Sequence, residues 1–379
     1  MLTNADITEL TALRRKIHQA PELSGEEYAT ASLLAGLMQD FGADEVIAGV
    51  GGTGVVAAFR GTEPGPEIMF RAELDALPIT EAAGPAHISV APGIAHLCGH
   101  DGHMAGVAGL GRMMARNRPK RGTVWLLFQP AEENGAGAAA MLQDSRMPRF
   151  DYGFAIHNFP GVAQGHALLS KGAMNCASVG MRVLLDGATS HASEPEKAKT
   201  PSLALSAIVP ALLSLAHSDV TQPDFRLVTI THINMGEPAF GITPGAAEIW
   251  VTLRTQRDDA MAALRQEATH IVAEAASLHD LSVAFEWHDE FAASINHPEA
   301  AEIMARAAEV VGLQVSDAQL PMRASEDFGR FGATAKTAMI LLGAGKDHPP
   351  LHAENYDYPD ELIAPSVRLF EKIVRDLTG

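Results

Sequence analysis

Cysteine is scarce: the 379 residues contain two, Cys98 and Cys176. That scarcity excludes a disulfide-stapled secreted scaffold, and a reducing, cytoplasmic location is expected. Long apolar runs are missing as well. None approaches the roughly 18–20 residues of a membrane span, so no membrane partner is expected. The opening Met1-Leu2-Thr3-Asn4-Ala5-Asp6 is polar and acidic and lacks a charged-then-apolar leader. Positive charge is in deficit: 28 lysines and arginines stand against 46 acidic residues, a formal net charge of −18. A nucleic-acid partner calls for basic patches, so none is expected.

What remains is an ordinary globular composition on a chain too long for one comfortable core, and about two domains of ~100–200 residues are expected. Leu10, Leu13 and Ile17 are spaced for one helix face, and Leu33, Leu34, Leu37 and Met38 for another. Pro21 separates the two, and Ser24-Gly25-Glu26-Glu27 reads as a serine-capped start of the second. Short β-rich runs follow at Val55 to Phe59 and Glu67 to Arg71, then a small-residue helix from Met104 to Met114, then strands at Val124 to Phe128 and Gly153 to Ile156. Strands alternating with helices predict a mostly parallel mixed sheet covered by helices, an α/β fold.

The rhythm changes between about residue 175 and residue 288. Strand (Ser178 to Leu185), helix (Pro201 to Leu215), two strands (Leu227 to Ile233, Ala247 to Leu253), helix (Asp258 to Leu278) and strand (Leu281 to Phe285) give the order βαββαβ, the ferredoxin-like arrangement. We read it as a domain at 175–288 inserted into a discontinuous one formed by 1–174 and 289–379. The latter resumes with a helix (Pro298 to Val311), a strand (Ala338 to Leu342) and a terminal helix (Pro365 to Leu377).

The chemistry concentrates in His96-Leu97-Cys98-Gly99-His100-Asp101-Gly102-His103. It packs thiol, imidazole and carboxylate into one glycine-jointed turn, and borderline-soft divalent metals favour such donors. Residues two apart on an extended segment point the same way, so Cys98 and His100 can grip one site. Other polar clusters follow strands, where ligands sit in open α/β sheets. These are Arg71 to Asp75, Gln129 to Asn134, His157 to Pro160, and Pro350 to Glu354. Glu132 and Glu133 follow an apolar strand and a proline, which suits a division of labour: one carboxylate binds metal and the other takes a proton from water. That division serves hydrolysis of an unactivated amide.

Arg71-Ala72-Glu73-Leu74-Asp75-Ala76-Leu77-Pro78, Cys98-Gly99-His100-Asp101-Gly102-His103, Phe128-Gln129-Pro130-Ala131-Glu132-Glu133, Ser325-Glu326-Asp327-Phe328 and Pro350-Leu351-His352 fall in the order seen in the M20 metallopeptidases. The chain most resembles their amidohydrolase branch, which includes hippurate hydrolases, auxin-conjugate amidohydrolases and N-acetyl-diaminopimelate deacetylases. The resemblance implies a di-zinc-peptidase-like catalytic domain interrupted by a lid that mediates homodimerisation. It implies two divalent metal ions (zinc, manganese, cobalt or nickel) on Cys98, His100, Glu133, His157 and His352, with Glu132 as general base. The implied substrate is a small-molecule amide, an N-acyl amino acid or a related conjugate. Asp75 matches an acidic residue that orients the site from behind the ligands. Asp101 either does likewise or caps the helix before Met104, and His103 is structural or supports a ligand. His191 matches a lid histidine that donates to the substrate carbonyl, with a plain surface-loop histidine as the alternative. Arg254 binds a substrate carboxylate or forms a surface ion pair.

The sequence departs from the family pattern at Glu73, at Pro195-Glu196 and Thr200-Pro201, and at Gly241, where relatives place a substrate-contacting asparagine. Two other readings compete. Cys98 is the nucleophile of a cysteine amidase, or the chain is a non-catalytic binding or dimerisation protein that keeps only the fold.

Overall fold

The structure, a computed structural model, describes residues 2–82, 84, 86–217 and 219–379. Met1, where the polar opening begins, lies outside them. The chain divides into two units: one comprises Met1–Met174, Ser294–Leu320 and Asp327–Gly379, the other Asn175–Ala293 and Pro321–Glu326.

Helix α1 (Asn4–Gln19) opens with a capping box. The Thr3 hydroxyl accepts from the Asp6 N–H, and the Asp6 carboxylate accepts from the Thr3 N–H. Its Leu10 and Ile17 are buried, as the spacing predicts. Helix α2 (Tyr28–Asp40) corrects the capping expectation, because Ser24 does not cap it. The first-turn N–H groups of Ala29 and Thr30 donate instead to the Glu22 carboxylate, at 3.0 and 2.8 Å. The side chains of Ser24 and Glu27 have stronger claims elsewhere.

Strands β1 (Glu45–Val50), β2 (Gly54–Arg60) and β3 (Glu63–Glu73), helix α3 (His100–Arg116), strand β4 (Arg121–Gln129), helix α4 (Gly137–Gln143) and strands β5 (Tyr152–Pro160) and β6 (His166–Leu168) complete the first stretch of unit one. The second unit contributes β7 (Ala177–Asp186), β8 (Ser190–His191), α5 (Ser202–Leu213), β9 (Arg226–Met235), β10 (Ile242–Thr243), β11 (Ala246–Thr255), α6 (Asp258–Leu278) and β12 (Ser282–Phe291). The chain then returns to unit one with α7 (Pro298–Val310), β13 (Gln314–Ser316), β14 (Lys336–Gly345) and α8 (Ile363–Thr378).

Unit one is built on an eight-stranded mixed sheet of order β1-β2-β4-β3-β5-β14-β6-β13. Its central pairs β4–β3, β3–β5 and β5–β14 are parallel, while β1–β2, β2–β4 and β14–β6 are antiparallel. The central strands are buried almost end to end because helices cover both faces, hence their continuous apolar runs. Phe70 stacks on Phe154 at 5.7 Å between ring centres and meets Phe370 of α8 edge-on at 4.9 Å. The small residues of α3 let it lie close to α8: a Cβ at Gly109 would come within 2.4 Å of Val367 Cγ2. This helix starts at His100, earlier than Met104, so Asp101 lies inside its first turn and does not cap it. The physical reason is Gly99, whose left-handed backbone (φ 98°) turns the chain directly into the helix.

Unit two carries a four-stranded antiparallel sheet of order β9-β11-β7-β12. Alternate residues Val179, Met181, Val183 and Leu185 of β7 and Ile249, Val251 and Leu253 of β11 share one core with Ile208, Leu212, Leu264 and Val272 of its two helices. On the polar face Arg182 bridges Glu248 and Glu286 at 2.9 and 2.8 Å. The last strand runs to Phe291, past residue 288, and the segment Pro321–Glu326 joins this unit. Among the described residues no helix is long and apolar enough to cross a membrane.

Candidate metal centre

The site of unit one collects on the sheet where β3, β4 and β5 end or run out, with the N-terminus of α3 alongside. The Gly99 turn is enforced by close approach, since a Cβ there would lie 2.1 Å from Asn158 Oδ1. It delivers His100 at the first position of α3, fully buried. The Nδ1–H of His100 donates to the Asp75 carbonyl at 2.8 Å, which leaves Nε2 pointing at Glu132 Oε2 (3.7 Å) and Glu133 Oε1 (3.8 Å). His157 lies within β5, and its Nδ1–H donates to the Asn158 carbonyl at 2.7 Å. Its Nε2 is thereby turned to the Cys98 thiol at 3.5 Å. His352, in a left-handed conformation (φ 66°), has its N–H tied to the Leu97 carbonyl at 2.8 Å and its Nε2 3.7 Å from Glu133 Oε2.

Three overlapping donor groups result: Cys98, His100 and His157; Cys98, Glu133 and His352; and His100, Glu132 and Glu133, each with ligand atoms within 4.8 Å of one another. Cys98 belongs to two of them. The structure therefore brings together Cys98, His100, Glu132, Glu133, His157 and His352, which the sequence scatters over some 250 positions.

The donors fit a cation on the evidence of their own electrostatics. Burial pushes the Cys98 thiol well above its ordinary pKa, and the charges of Glu133, Glu132 and Glu73 push it further. Burial opposes charge on His100, yet its hydrogen bond to Asp75 and the charges of Glu73 and Glu133 outweigh that and raise it to about 10. Burial, aided by the neighbouring His103, drives His157 down to about 3. A negative site holding a neutral thiol, together with the fully buried His100 Nε2 that has no hydrogen-bond partner among the described residues, suits a divalent cation with sulfur, nitrogen and oxygen ligands.

Behind these donors lies a buried polar frame. Asp75 Oδ2 accepts from the Ser24 hydroxyl (2.7 Å) and the Glu133 N–H (2.9 Å). Burial raises the Asp75 carboxyl, but the His100 hydrogen bond and charge bring it below its ordinary value. His103 is occupied at both nitrogens, Nδ1 with Glu73 at 2.7 Å and Nε2 with Asn158 at 2.6 Å, and its ring lies 4.7 Å from that of His157. Asp101 faces away from the donors: it accepts from His18 Nδ1 (2.9 Å) and Arg14 (3.2 Å) in a separate buried network. His96 is buried with neither ring nitrogen hydrogen-bonded among the described residues, and burial pushes it down to about 3.

Sequence reasoning missed the frame formed by Ser24 and Glu27 and by Arg71, Gln129 and Asp327. Arg71 donates to Gln129 Oε1 (2.9 Å) and Asp327 Oδ1 (2.8 Å), and Asp327 Oδ2 accepts the Ala138 N–H at 2.9 Å. Asp327 and Phe328 were visible only as part of a motif, without a role.

In unit two, His191 is exposed on a two-stranded ribbon paired with Ile242. Its Nδ1 accepts the Ser193 N–H at 3.2 Å and lies 2.7 Å from the Ser193 hydroxyl. Arg254 donates to the Arg323 carbonyl (3.0 Å) and the Ser325 hydroxyl (2.6 Å), with no carboxylate partner among the described residues, so the surface ion pair does not form.

The chain is similar to several known proteins. The hippurate hydrolase of Campylobacter jejuni is 32% identical over 96% of this chain and 95% of its own. The N-acetyl-L-cysteine deacetylase of Bacillus subtilis is 30% identical over 97% of this chain and 88% of its own. A crystal structure from Bacillus subtilis described as a dinuclear metal binding peptidase from the M20 family superposes with a TM-score of 0.84 at 25% identity, covering 99% of both chains. The pattern of peptidase family M20/M25/M40 matches residues 69–376. That stretch holds every donor named above, and the chain belongs to this family as a metal-dependent hydrolase of amide bonds.

Proposed function

We propose that the amide cleaved is that of an N-acyl amino acid or a related conjugate, and that two divalent cations serve the reaction. The observation that carries the reading is the sharing of Cys98 by two donor groups with Glu132 beside them. We assign Cys98, His100 and His157 to one cation and Cys98, Glu133 and His352 to the other, with zinc, manganese, cobalt and nickel as candidates. Bound there, the cations would polarise the amide carbonyl and acidify water.

The protein's own groups do the rest. Glu132, nearly buried and facing His100 Nε2, accepts a proton from the attacking water and returns it to the leaving nitrogen. Asp75 holds His100 in the tautomer that presents Nε2. His191 donates to the carbonyl oxygen: its Nδ1 accepts from Ser193, which leaves the proton on Nε2. Arg254, a cation whose partners among the described residues are neutral, takes the substrate carboxylate. Asp101 supports the helix that carries His100. A thiol ringed by carboxylates is a poor nucleophile, which disfavours the cysteine-amidase reading.

We further propose that unit two acts as a lid and dimerisation domain and that the protein works in the cytoplasm. The edge strand β9 is bridged on its outer side at Arg226 by His217, and its exposed second half, residues 231–235, supports a homodimer contact there. The test is a hydrolysis screen of metal-stripped protein, with each of the four metals added back, across N-acetyl, N-benzoyl and indole-acyl amino acids. Turnover of at least one class, restored by metal, is expected. Activity that survives exhaustive stripping overturns the metal assignment, and turnover confined to free peptides overturns the substrate class.

A further inference from the structure

We propose that Ser24 and Glu27, on the loop between α1 and α2, are positioning residues that clamp the Glu132–Glu133 dipeptide from both sides. The inference rests on the roles given to those two glutamates above.

Glu27 is a fully buried carboxylate with no cation against it among the described residues. Its Oε1 accepts the N–H of Gly25 and the N–H of Ala131, both at 2.8 Å, and its Oε2 accepts the Thr53 hydroxyl at 2.6 Å. Burying a carboxylate is costly unless its oxygens are hydrogen-bonded, and here one of the bonds goes to the residue directly before Glu132. Ala131 has a positive φ of 49°, a conformation that alanine adopts reluctantly. Something must hold it there, and the Glu27 hydrogen bond fixes that peptide. The direction of the Glu132 side chain follows from the Ala131 backbone, so the same bond aims the base.

The other side is held by Ser24. Its hydroxyl donates to Asp75 Oδ2, and that oxygen also accepts the Glu133 N–H. One short loop thus grips the backbone before Glu132 directly and the backbone of Glu133 through Asp75. The Ser24…Glu27 spacing, which reads in the sequence as a helix-capping box, is used to hold the two carboxylates.

The experiment compares Glu27→Ala, Glu27→Gln and Ser24→Ala, each metal-loaded, with Glu132→Gln as the control. The readouts are kcat and KM on the best substrate of the screen, Mn²⁺ stoichiometry, and amide hydrogen exchange of the peptide spanning residues 128–137. Glu27→Ala is expected to lose about 30–100-fold in kcat with KM within threefold, since misplacing a reacting group by about 1 Å costs on that order. Exchange is expected to rise in residues 128–137 and not elsewhere. Glu27→Gln keeps a carbonyl oxygen for the two N–H groups and an amide toward Thr53, so kcat within threefold of wild type is expected. Ser24→Ala is expected to lose about 3–10-fold in kcat.

A folded Glu27→Ala protein with wild-type kcat and unchanged exchange overturns the clamp. So does an equal loss in Glu27→Gln, which would mark a need for charge. Should Glu27→Ala not fold, Ser24→Ala decides: kcat within twofold of wild type overturns the proposal. If Glu132→Gln remains fully active, the base assignment itself has failed. An inactive Glu132→Gln beside an unaffected Glu27→Ala sinks the clamp alone.

Discussion

The candidate metal centre of unit one and the residues of unit two proposed to meet substrate are built on opposite plans. In unit one His100, Asp75, Glu73 and Glu27 are fully buried, and each is fixed by at least one hydrogen bond to a neighbouring backbone or side chain. In unit two His191 lies exposed on a two-stranded ribbon with exposed Gly241 just before its other strand, and Arg254 is half-buried with neutral partners among the described residues. A Cβ built at Gly241 meets nothing within 4 Å, so a side chain there has open space. The first plan keeps donors within the tolerance that charge stabilisation demands. The second leaves recognition cheap to alter. Changes in unit one should therefore strike metal content as well as kcat, and changes in unit two should strike substrate binding or stabilisation of its carbonyl oxygen while metal stays.

The sharpest break of that contrast is Glu132→Gln. We expect kcat to fall on the order of 10³-fold or more with metal retained, within the range of general acid–base catalysis. Wild-type turnover in that variant removes the assigned base. Cys98→Ala is expected to lose both bound cations and nearly all activity, read by metal analysis of the purified protein. Two full equivalents of metal in that variant would contradict the shared thiol.

On the other side of the comparison, His191→Ala should lower kcat by about 10²-fold, the scale of one carbonyl-oxygen donor. Its metal content and melting temperature should match wild type, because the side chain is exposed and, among the described residues, bonded only to its own loop. A fall in metal content would mean that the two regions are not independent. Arg254→Ala is the mildest: KM should rise about 10–100-fold for substrates with a free carboxylate, the weight of a charged hydrogen bond at ~1.5–3 kcal/mol. It should change little for the corresponding carboxamides. Equal effects on both kinds of substrate would remove the carboxylate role.

The same contrast explains what was legible in the sequence. Alternating strands and helices gave the mixed parallel sheet because its central strands must be apolar on both faces. The donors were legible because thiol, imidazole and paired carboxylate in glycine-jointed turns have few other uses. Ser24 and Glu27 were misread because a cap and a tertiary clamp use the same residues at the same spacing, and only the partner tells them apart. The start of α3 was placed too late because Gly99 and Gly102 disguise its cap and first turn. Asn158 stood in a strand-end polar cluster but was given no role, although its side chain, joined to His103 and Tyr356, shapes the Gly99 turn from a strand 59 positions away in sequence. Such contacts leave no periodic trace.

Unit one is written in separated pieces of chain, and its strand β14 is slotted between β5 and β6. On the ribosome, Cys98, His100, Glu133 and His157 emerge long before the strand that completes the sheet centre and before His352. A nascent chain therefore carries four of the proposed donors with no means of closing the set. On the assignment proposed above, the group of Cys98, Glu133 and His352 stays open until His352 has emerged, and any product truncated before Lys336 lacks both the missing strand and the fifth donor.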